Sequence, residues 1–373
     1  MHCHRPPEAL RAAIVLACSL AVTTPAGADE RWLLQGLLDA ELFETDHGSR
    51  LLSRNDGETA AGGRIRVWAA SELHPRLHGF AMGGVEQGTA YDDDGTATEL
   101  LQAFVRATLG SDHPWYLEAG RIPQPLGNFS ARYFSNVNPL IGDPDSYTIA
   151  DPLGIQLIGA AGRADFRVGI VDLPLINERY LPEAGSSPRP IAAAGITPLQ
   201  GLRIGAYYTA GAYLHEDLTP LLPQGADWEE FDQRITGLDF SFSSGHFEIN
   251  ADYNRSQYDV PTHPESVDGG AWFIEPKYTW TPRFYTALRF ERNLYAFIRP
   301  IDPTNWMGSE IEFHDIEIGA GVRFGPDTLL KVSYRRDRWN VDDALKSILP
   351  DGHSVAMQLS HTFDVRSWAR RPL

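Results

Sequence analysis

From Val355 to Val365 the chain alternates without a break: Val355, Met357, Leu359, His361, Phe363 and Val365 fall on one side, and Ala356, Gln358, Ser360, Thr362 and Asp364 on the other. A repeat of two is the side-chain period of a β-strand, so this segment reads as a strand between two different environments. The pattern recurs. Ile316, Ile318, Ala320, Val322 and Phe324 alternate with Asp315, Glu317, Gly319, Gly321 and Arg323, and Phe247, Ile249, Ala251 and Tyr253 alternate with Glu248, Asn250, Asp252 and Asn254. Charge on the second face is too frequent for a dry core, where unpaired ions are strongly disfavoured. One face in lipid and the other in water is the arrangement of a closed barrel, which leaves no unpaired edge in a membrane.

Sixteen strand candidates fall near 32–44, 63–73, 76–88, 97–109, 115–122, 154–161, 164–173, 191–198, 201–214, 232–243, 246–258, 270–280, 283–297, 311–324, 328–340 and 354–366. Seven connections are tight and carry turn residues such as Gly162-Arg163, Ser244-Gly245 and Gly325-Pro326-Asp327. Longer connections lie near 45–62, 89–96, 123–153, 174–190, 215–231, 259–269, 298–310 and 341–353. Short and long therefore alternate, as expected when one rim of a barrel carries turns and the other loops; a soluble sandwich has no reason to sort its loops by parity. The reading is all-β: a transmembrane antiparallel up-and-down barrel of about 16 strands. Pro276 fits poorly inside a paired strand and predicts a bulge. Trp115, Trp280, Phe284, Tyr334 and Trp339, at strand ends, suit interfacial girdles or ordinary strand packing.

Residues 12–22 are almost purely apolar, follow Arg5 and Arg11, and precede Ala26-Gly27-Ala28. This is the pattern of a cleavable export signal over 1–28, which leaves 29–373 as a single barrel domain. A lipoprotein reading of Val15-Leu16-Ala17-Cys18 is the alternative. Both cysteines, Cys3 and Cys18, fall within the signal, so the barrel would be held without disulfides. The mean hydropathy of -0.27 agrees with a wall whose two faces average to neutral.

If the apolar partner in each strand faces lipid, the interior carries the basic residues Arg64, Arg66, Arg106, Arg167, Arg203, Lys277, Arg289, Arg323, Lys331 and Arg335. Against them stand Asp39, Glu41, Glu118, Asp239, Glu248, Asp252, Glu275, Glu291, Asp315, Glu317 and Asp364. Nearly balanced sets of this kind either form opposed walls with a transverse field or pair across strands. The formal charge of -17 must then sit mostly in loops, in Asp92 to Asp94, Asp143, Asp145, Glu216, Asp217, Asp227, Glu229 and Glu230. Such an acidic rim would concentrate cations or hold divalent ions against lipopolysaccharide phosphates, or simply keep the loops solvated; its sign disfavours nucleic acid. No Gly-x-Ser-x-Gly or His-Glu-x-x-His is present, and Gly319 to Gly325 lacks the spacing of a phosphate-cradling loop. No catalytic group, metal site or cofactor site is read from the sequence.

On these residues the chain resembles a general bacterial porin of the outer membrane. Gln358-Leu359-Ser360-His361-Thr362-Phe363-Asp364-Val365 is similar to the assembly signal of outer-membrane barrels, with Ser360 in place of Gly and a basic tail, Ser367 to Leu373, following it. The resemblance implies a water-filled pore for passive diffusion of small hydrophilic solutes or ions, without enzymatic activity. It also implies a long third loop, here 123–153, folded inward to narrow the pore, with Asn128, Arg132, Tyr133, Asn136, Asp143 and Asp145 as constriction residues. The partners implied are outer-membrane lipid and lipopolysaccharide, with homo-oligomers through barrel walls left open because the second loop, 89–96, is short for a latch. A second reading keeps the barrel but makes it a sheath for a periplasmic partner such as a multihaem cytochrome.

Overall fold

The computed structural model describes residues 32–49, 59–87, 96–110, 115–144, 151–172, 180–182 and 185–365. The expected export signal, the basic tail, Asp92 to Asp94 and Asp145 lie outside them. The chain forms sixteen antiparallel strands. In order they are β1 (Trp32–Thr45), β2 (Thr59–His74), β3 (Leu77–Gln87), β4 (Thr96–Leu109), β5 (Trp115–Arg121), β6 (Leu153–Ala161), β7 (Ala164–Val171) and β8 (Arg189–Leu199). The second half comprises β9 (Leu202–Ala212), β10 (Asp232–Ser244), β11 (Phe247–Tyr258), β12 (Val267–Thr281), β13 (Phe284–Asp302), β14 (Asn305–Arg323), β15 (Thr328–Asn340) and β16 (Gly352–Asp364). Each strand pairs with its sequence neighbours, and β1 pairs with β16 from Gln35↔Asp364 to Thr45↔Ser354, so the sheet closes. Helical structure among the described residues comprises the short 3-10 segments Phe129–Ala131, Glu216–Leu221 and Trp228–Glu230, and Val365 just after β16.

Alternation sorts the side chains as the pleat requires. Ile65, Val168, Ile204, Ile318, Val332 and Leu359 are exposed on the outer surface, while their chain neighbours Arg66, Lys331 and Ser360 are buried inside. In β4 the phase changes once. Gln102 pairs with Met82 but Leu100 pairs with Gly83, so Leu101 is an extra residue. That bulge lets Leu100 and Val105, of opposite parity, both face outward. Tight turns use glycine where the backbone must turn left-handed, as at Gly162 (φ 62°) between β6 and β7.

Three expectations need correction. Residues 298–310 are not a loop: β13 and β14 continue through them as a hairpin, joined by Pro303 and Thr304. The Asp302 carboxylate accepts from the Thr304 N–H at 2.8 Å, closing the turn. The strict alternation of connection lengths therefore breaks at this hairpin. Trp339 faces inward, buried against Tyr295 and Phe313, whereas Trp115, Trp280, Phe284 and Tyr334 are exposed on the outside. Pro276 causes no bulge: the register with β11 runs through it, and on the β13 side the pairs Ile274↔Phe290 and Lys277↔Ala287 keep one frame. The irregularity lies instead between Thr279 and Thr281, next to the turn.

Placing a charge on the outer belt should cost stability in proportion to its depth. Ile318→Arg is expected to lower the unfolding free energy by about 2–4 kcal/mol, and Leu199→Arg, beside a turn, by about 1 kcal/mol or less. Urea unfolding in lipid vesicles measures both.

Candidate functional site

The interior is dominated by the described part of the connection between β5 and β6, residues 122–144 and 151–152. It enters between Val171, Ile191, Tyr207 and Ile235 on β7–β10, where Ile122 and Leu126 are fully buried. From there it follows the inner wall. Arg167 on β7 donates to the Pro125 carbonyl at 2.7 Å, and Asn128 donates to the Phe240 carbonyl and the Ser241 hydroxyl on β10. Arg132 reaches Glu275 on β12 at 2.6 Å. Tyr285 on β13 donates to the Pro139 carbonyl, and Lys331 on β15 donates to the carbonyls of Asn138 and Leu140 at 3.1 and 2.7 Å. Asn136 donates to Thr362 on β16 and Ser135 to Asp39 on β1. Finally Arg66 on β2 lies over the Tyr133 ring, 5.2 Å from its centroid.

The loop holds its shape through Asn138, whose amide donates to the Gly142 carbonyl at 3.2 Å and to Asp143 at 2.9 Å, while its oxygen accepts from the Leu140 N–H. Glu317 on β14 accepts from the N–H groups of Ile141 and Gly142 at 3.2 and 3.1 Å, and Arg289 donates to the Gly142 carbonyl at 2.6 Å. Two wall glycines make the seat. A Cβ on Gly319 would stand 2.8 Å from Leu140 Cδ2, and one on Gly321 would stand 2.2 Å from the Tyr285 ring. Where the loop returns to the wall, Asp151 is buried beside Gln102, and burial pushes its carboxyl up to about 6.

The charges of the wall are paired locally, mostly between adjacent strands, instead of being segregated onto opposed walls. Arg106 donates to Glu118 at 2.6 Å, and Glu118 also accepts from Gln156. Arg203 bridges Asp165, at 2.7 Å, and Asp239. Arg64 joins Glu86 at 2.8 Å and lies 3.9 Å from Glu41, and Lys277 meets Glu248 at 3.0 Å. Arg289, with no exposed surface, lies between Glu275 and Glu317. Arg335 meets Asp315 and Asp337 at 3.5 and 2.8 Å, and also donates to the Asp143 carbonyl. Asp252 accepts from Tyr207, Glu291 from Asn293, and Arg323 donates to the Asn136 carbonyl. Buried ions on β12–β15 are thus satisfied by the loop as well as by one another, whereas Arg106 (43 % exposed) and Arg203 (32 %) on the β4–β9 side remain open to solvent.

At the loop rim, β13 and β14 stand above the barrel and support a cap. Trp306, almost fully buried, donates its indole N–H to the Leu221 carbonyl at 2.8 Å. Tyr180, from the connection between β7 and β8, stacks on Phe297 with centroids 4.1 Å apart, and its carbonyl accepts from the Ile298 N–H. Tyr180 is thereby seated against β13. Glu216, Asp217, Glu229 and Glu230 are exposed on the 3-10 segments of this cap.

Several interior partners were not singled out from sequence. Asp165 and Asp337 share parity with Arg167 and Arg335, so alternation alone could have found them. Arg189, fully buried and donating to Thr209 and the Gln233 carbonyl, was hidden by its flanking prolines, Pro188 and Pro190. Ser135 and Asn138 carry no sequence signal beyond lying in a long loop.

No protein-family model matches the chain, and no curated protein matches its sequence. Solved structures share its fold. OmpF of Salmonella typhi, in complex with daunomycin, superposes with a TM-score of 0.61 at 11% identity, covering 89% of this chain and 97% of that one. OmpT of Vibrio cholerae lacking loop L8 gives 0.55 at 11% identity, over 89% and 99%. A mutant porin of Rh. blastica gives 0.50 at 13% identity, over 89% and 100%. The chain has the porin-like outer-membrane barrel fold.

Removing Glu275 takes the carboxylate from Arg132 and leaves buried Arg289 with Glu317 at 3.6 Å. Glu275→Ala is expected to lower stability by about 3–5 kcal/mol, while Glu248→Ala, at a solvent-exposed pair, changes it by about 1 kcal/mol or less. Guanidinium unfolding followed by tryptophan fluorescence separates the two.

Proposed function

We propose that the chain forms a water-filled channel in a bacterial outer membrane for passive diffusion of small hydrophilic solutes or ions. The observation that carries this reading is the opposition of an apolar exterior and an ion-lined interior whose pairs on the β4–β9 side stay in contact with water. Residues 122–144 act as the constriction in this reading. Anchored to the wall by Arg289, Glu317 and Lys331, they set the width of the path that remains beside Arg106, Arg167 and Arg203. Paired charges of both signs along that path favour polar solutes without strong discrimination by sign. Selectivity then falls to the exposed carboxylates of the mouth, Glu216, Asp217, Glu229 and Glu230. Residues 1–28 serve as the export signal of this channel.

The sheath reading is weakened by the same geometry, because the space a protein partner would need inside the barrel holds the chain's own loop, hydrogen-bonded to strands on most of its circumference.

Planar-bilayer recording of the refolded protein tests the proposal. Ohmic current is expected, with a reversal potential favouring cations across a salt gradient. That preference should shrink as ionic strength approaches 1 M, where the screening length falls to about 3 Å. Absence of any conducting unit overturns the channel, and anion selectivity overturns the role given to the mouth carboxylates.

A further inference from the structure

Most guanidiniums inside the barrel are spent. Arg64, Arg106, Arg203 and Arg289 are paired with carboxylates, and Arg189 and Arg323 donate to backbone carbonyls. Arg66 on β2 has neither kind of partner among the described residues. It is 8 % exposed, and its Nη1 is fully buried without an acceptor. Asp39 and Asp143 contribute to the field at Arg66 but lie beyond ion-pair distance, and their carboxylates accept from Ser135 and Asn138. What surrounds the guanidinium is aromatic. Its Cζ lies 5.2 Å from the centroid of the Tyr133 ring and 5.5 Å from that of Phe134, both on the loop between β5 and β6. A ring face attracts a cation, yet it leaves the N–H groups at the guanidinium's edge without acceptors.

Tyr133 repeats the pattern. Its ring packs on Phe134 with centroids 4.4 Å apart, and its hydroxyl is likewise buried without a partner. Two strong donors therefore stand together with no protein oxygen to receive them, an arrangement that costs free energy unless something else supplies the acceptor. The surface beside them is flat and apolar. Trp68, two residues along the same inward face of β2, is half-buried and meets the half-buried Phe134 at 6.2 Å with the planes 34° apart. Nearer the turns the same wall carries Phe80 on β3 stacked on Phe104 on β4, 5.1 Å apart. Arg106 lies over Phe104 there but is held by Glu118.

We propose that Arg66, Tyr133, Trp68 and Phe134 form a binding site for the anion of a monocyclic aromatic acid. The carboxylate accepts from the Arg66 guanidinium and the Tyr133 hydroxyl, and the ring lies against Trp68 and Phe134 in an offset stack. An inorganic anion would satisfy the donors and leave the rings wet, and a neutral aromatic would do the reverse, so the two features together select a ring that carries a carboxylate. Phe80 and Phe104 give the solute a second, weaker station towards the turns, because Arg106 already has its carboxylate; sites of falling strength let a bound solute leave. The site rests on the reading of the interior as open to solutes, and adds to it a solute class. It is a local donor pair on one wall and leaves the sign preference of small ions to the mouth.

Saturation-transfer NMR of benzoate with the folded barrel in a neutral detergent tests the site without requiring current. Saturable binding is expected for the wild type. R66Q is expected to bind benzoate roughly tenfold or more weakly, and Y133F and W68A each several-fold more weakly. R66K, which keeps the charge but loses the planar fork, should fall between wild type and R66Q. Acetate and cyclohexanecarboxylate should displace benzoate only at roughly tenfold its concentration or above. Equal binding by wild type and R66Q, or no saturable binding at all, overturns the site. Displacement at equal concentration by acetate reduces it to an anion site, and by cyclohexanecarboxylate removes the aromatic selectivity; either outcome overturns the proposal. Heat-modifiable migration in gels confirms that each variant is folded. Bilayer currents from the same preparations keep the two readings apart: current without benzoate binding removes the site and leaves the channel, whereas benzoate binding without current removes the channel and leaves the site.

Discussion

The pairing of β1 with β16 is the interaction on which the rest of the structure depends. Without it two strands would present unpaired N–H and C=O groups, which a hydrocarbon environment cannot satisfy. With it, eleven residues of each strand from Gln35↔Asp364 to Thr45↔Ser354 are matched, and the sheet acquires an inside and an outside. Every later assignment follows from that division. A one-residue slip would send Asp39 and Glu41 into lipid and Leu38 and Leu42 into the interior, so the register is fixed by the cost of reversing all of them at once.

Closure creates a cavity lined with ions, and the chain then occupies much of it with its own loop. Arg289, Glu275, Glu317 and Lys331 are almost completely hidden from solvent, a position tolerable only because each finds partners on the wall, on the loop, or on both. The exchange is mutual: the loop's unpaired carbonyls at Asn138, Leu140 and Gly142 are satisfied by wall cations. Gly319 and Gly321 complete the fit by leaving room for Leu140 and Tyr285. The β4–β9 side keeps its ion pairs wet, and this asymmetry separates the part of the interior that fixes the loop from the part proposed to carry solutes.

The barrel itself was legible because a strand's period of two states which side of the wall each residue takes, and sixteen such segments with turn signals admit little else. Periodicity names a side but not a partner, so the pairing of Arg203 with Asp165 or of Arg132 with Glu275 could not be read. It also fails where residue type and context disagree. Pro300, Pro303 and Asp302 read as a loop, yet they form the end of a hairpin because Trp306 and Ile298 pack under the cap. Trp339 reads as interfacial by its position at a strand end, but its parity with Asp337 and Arg335 turns it inward. The course of residues 122–144 along the wall depends on hydrogen bonds to β1, β7, β10 and β12–β16, information spread too widely for any local pattern to carry.

The two cysteines of the chain are Cys3 and Cys18, so single cysteines introduced into the barrel report alone once the expected signal is removed. The direct measurement is the reaction rate of adjacent positions in vesicles with a charged, impermeant thiol reagent and with a membrane-partitioning one. The account predicts that Arg106→Cys and Arg203→Cys react with the charged reagent and lower the current as they do so, while Val105→Cys and Ile204→Cys react only with the partitioning reagent. Equal reaction of neighbours with the charged reagent, or modification of the interior cysteines without any change in current, would contradict a wet, conducting interior behind a lipid-facing wall.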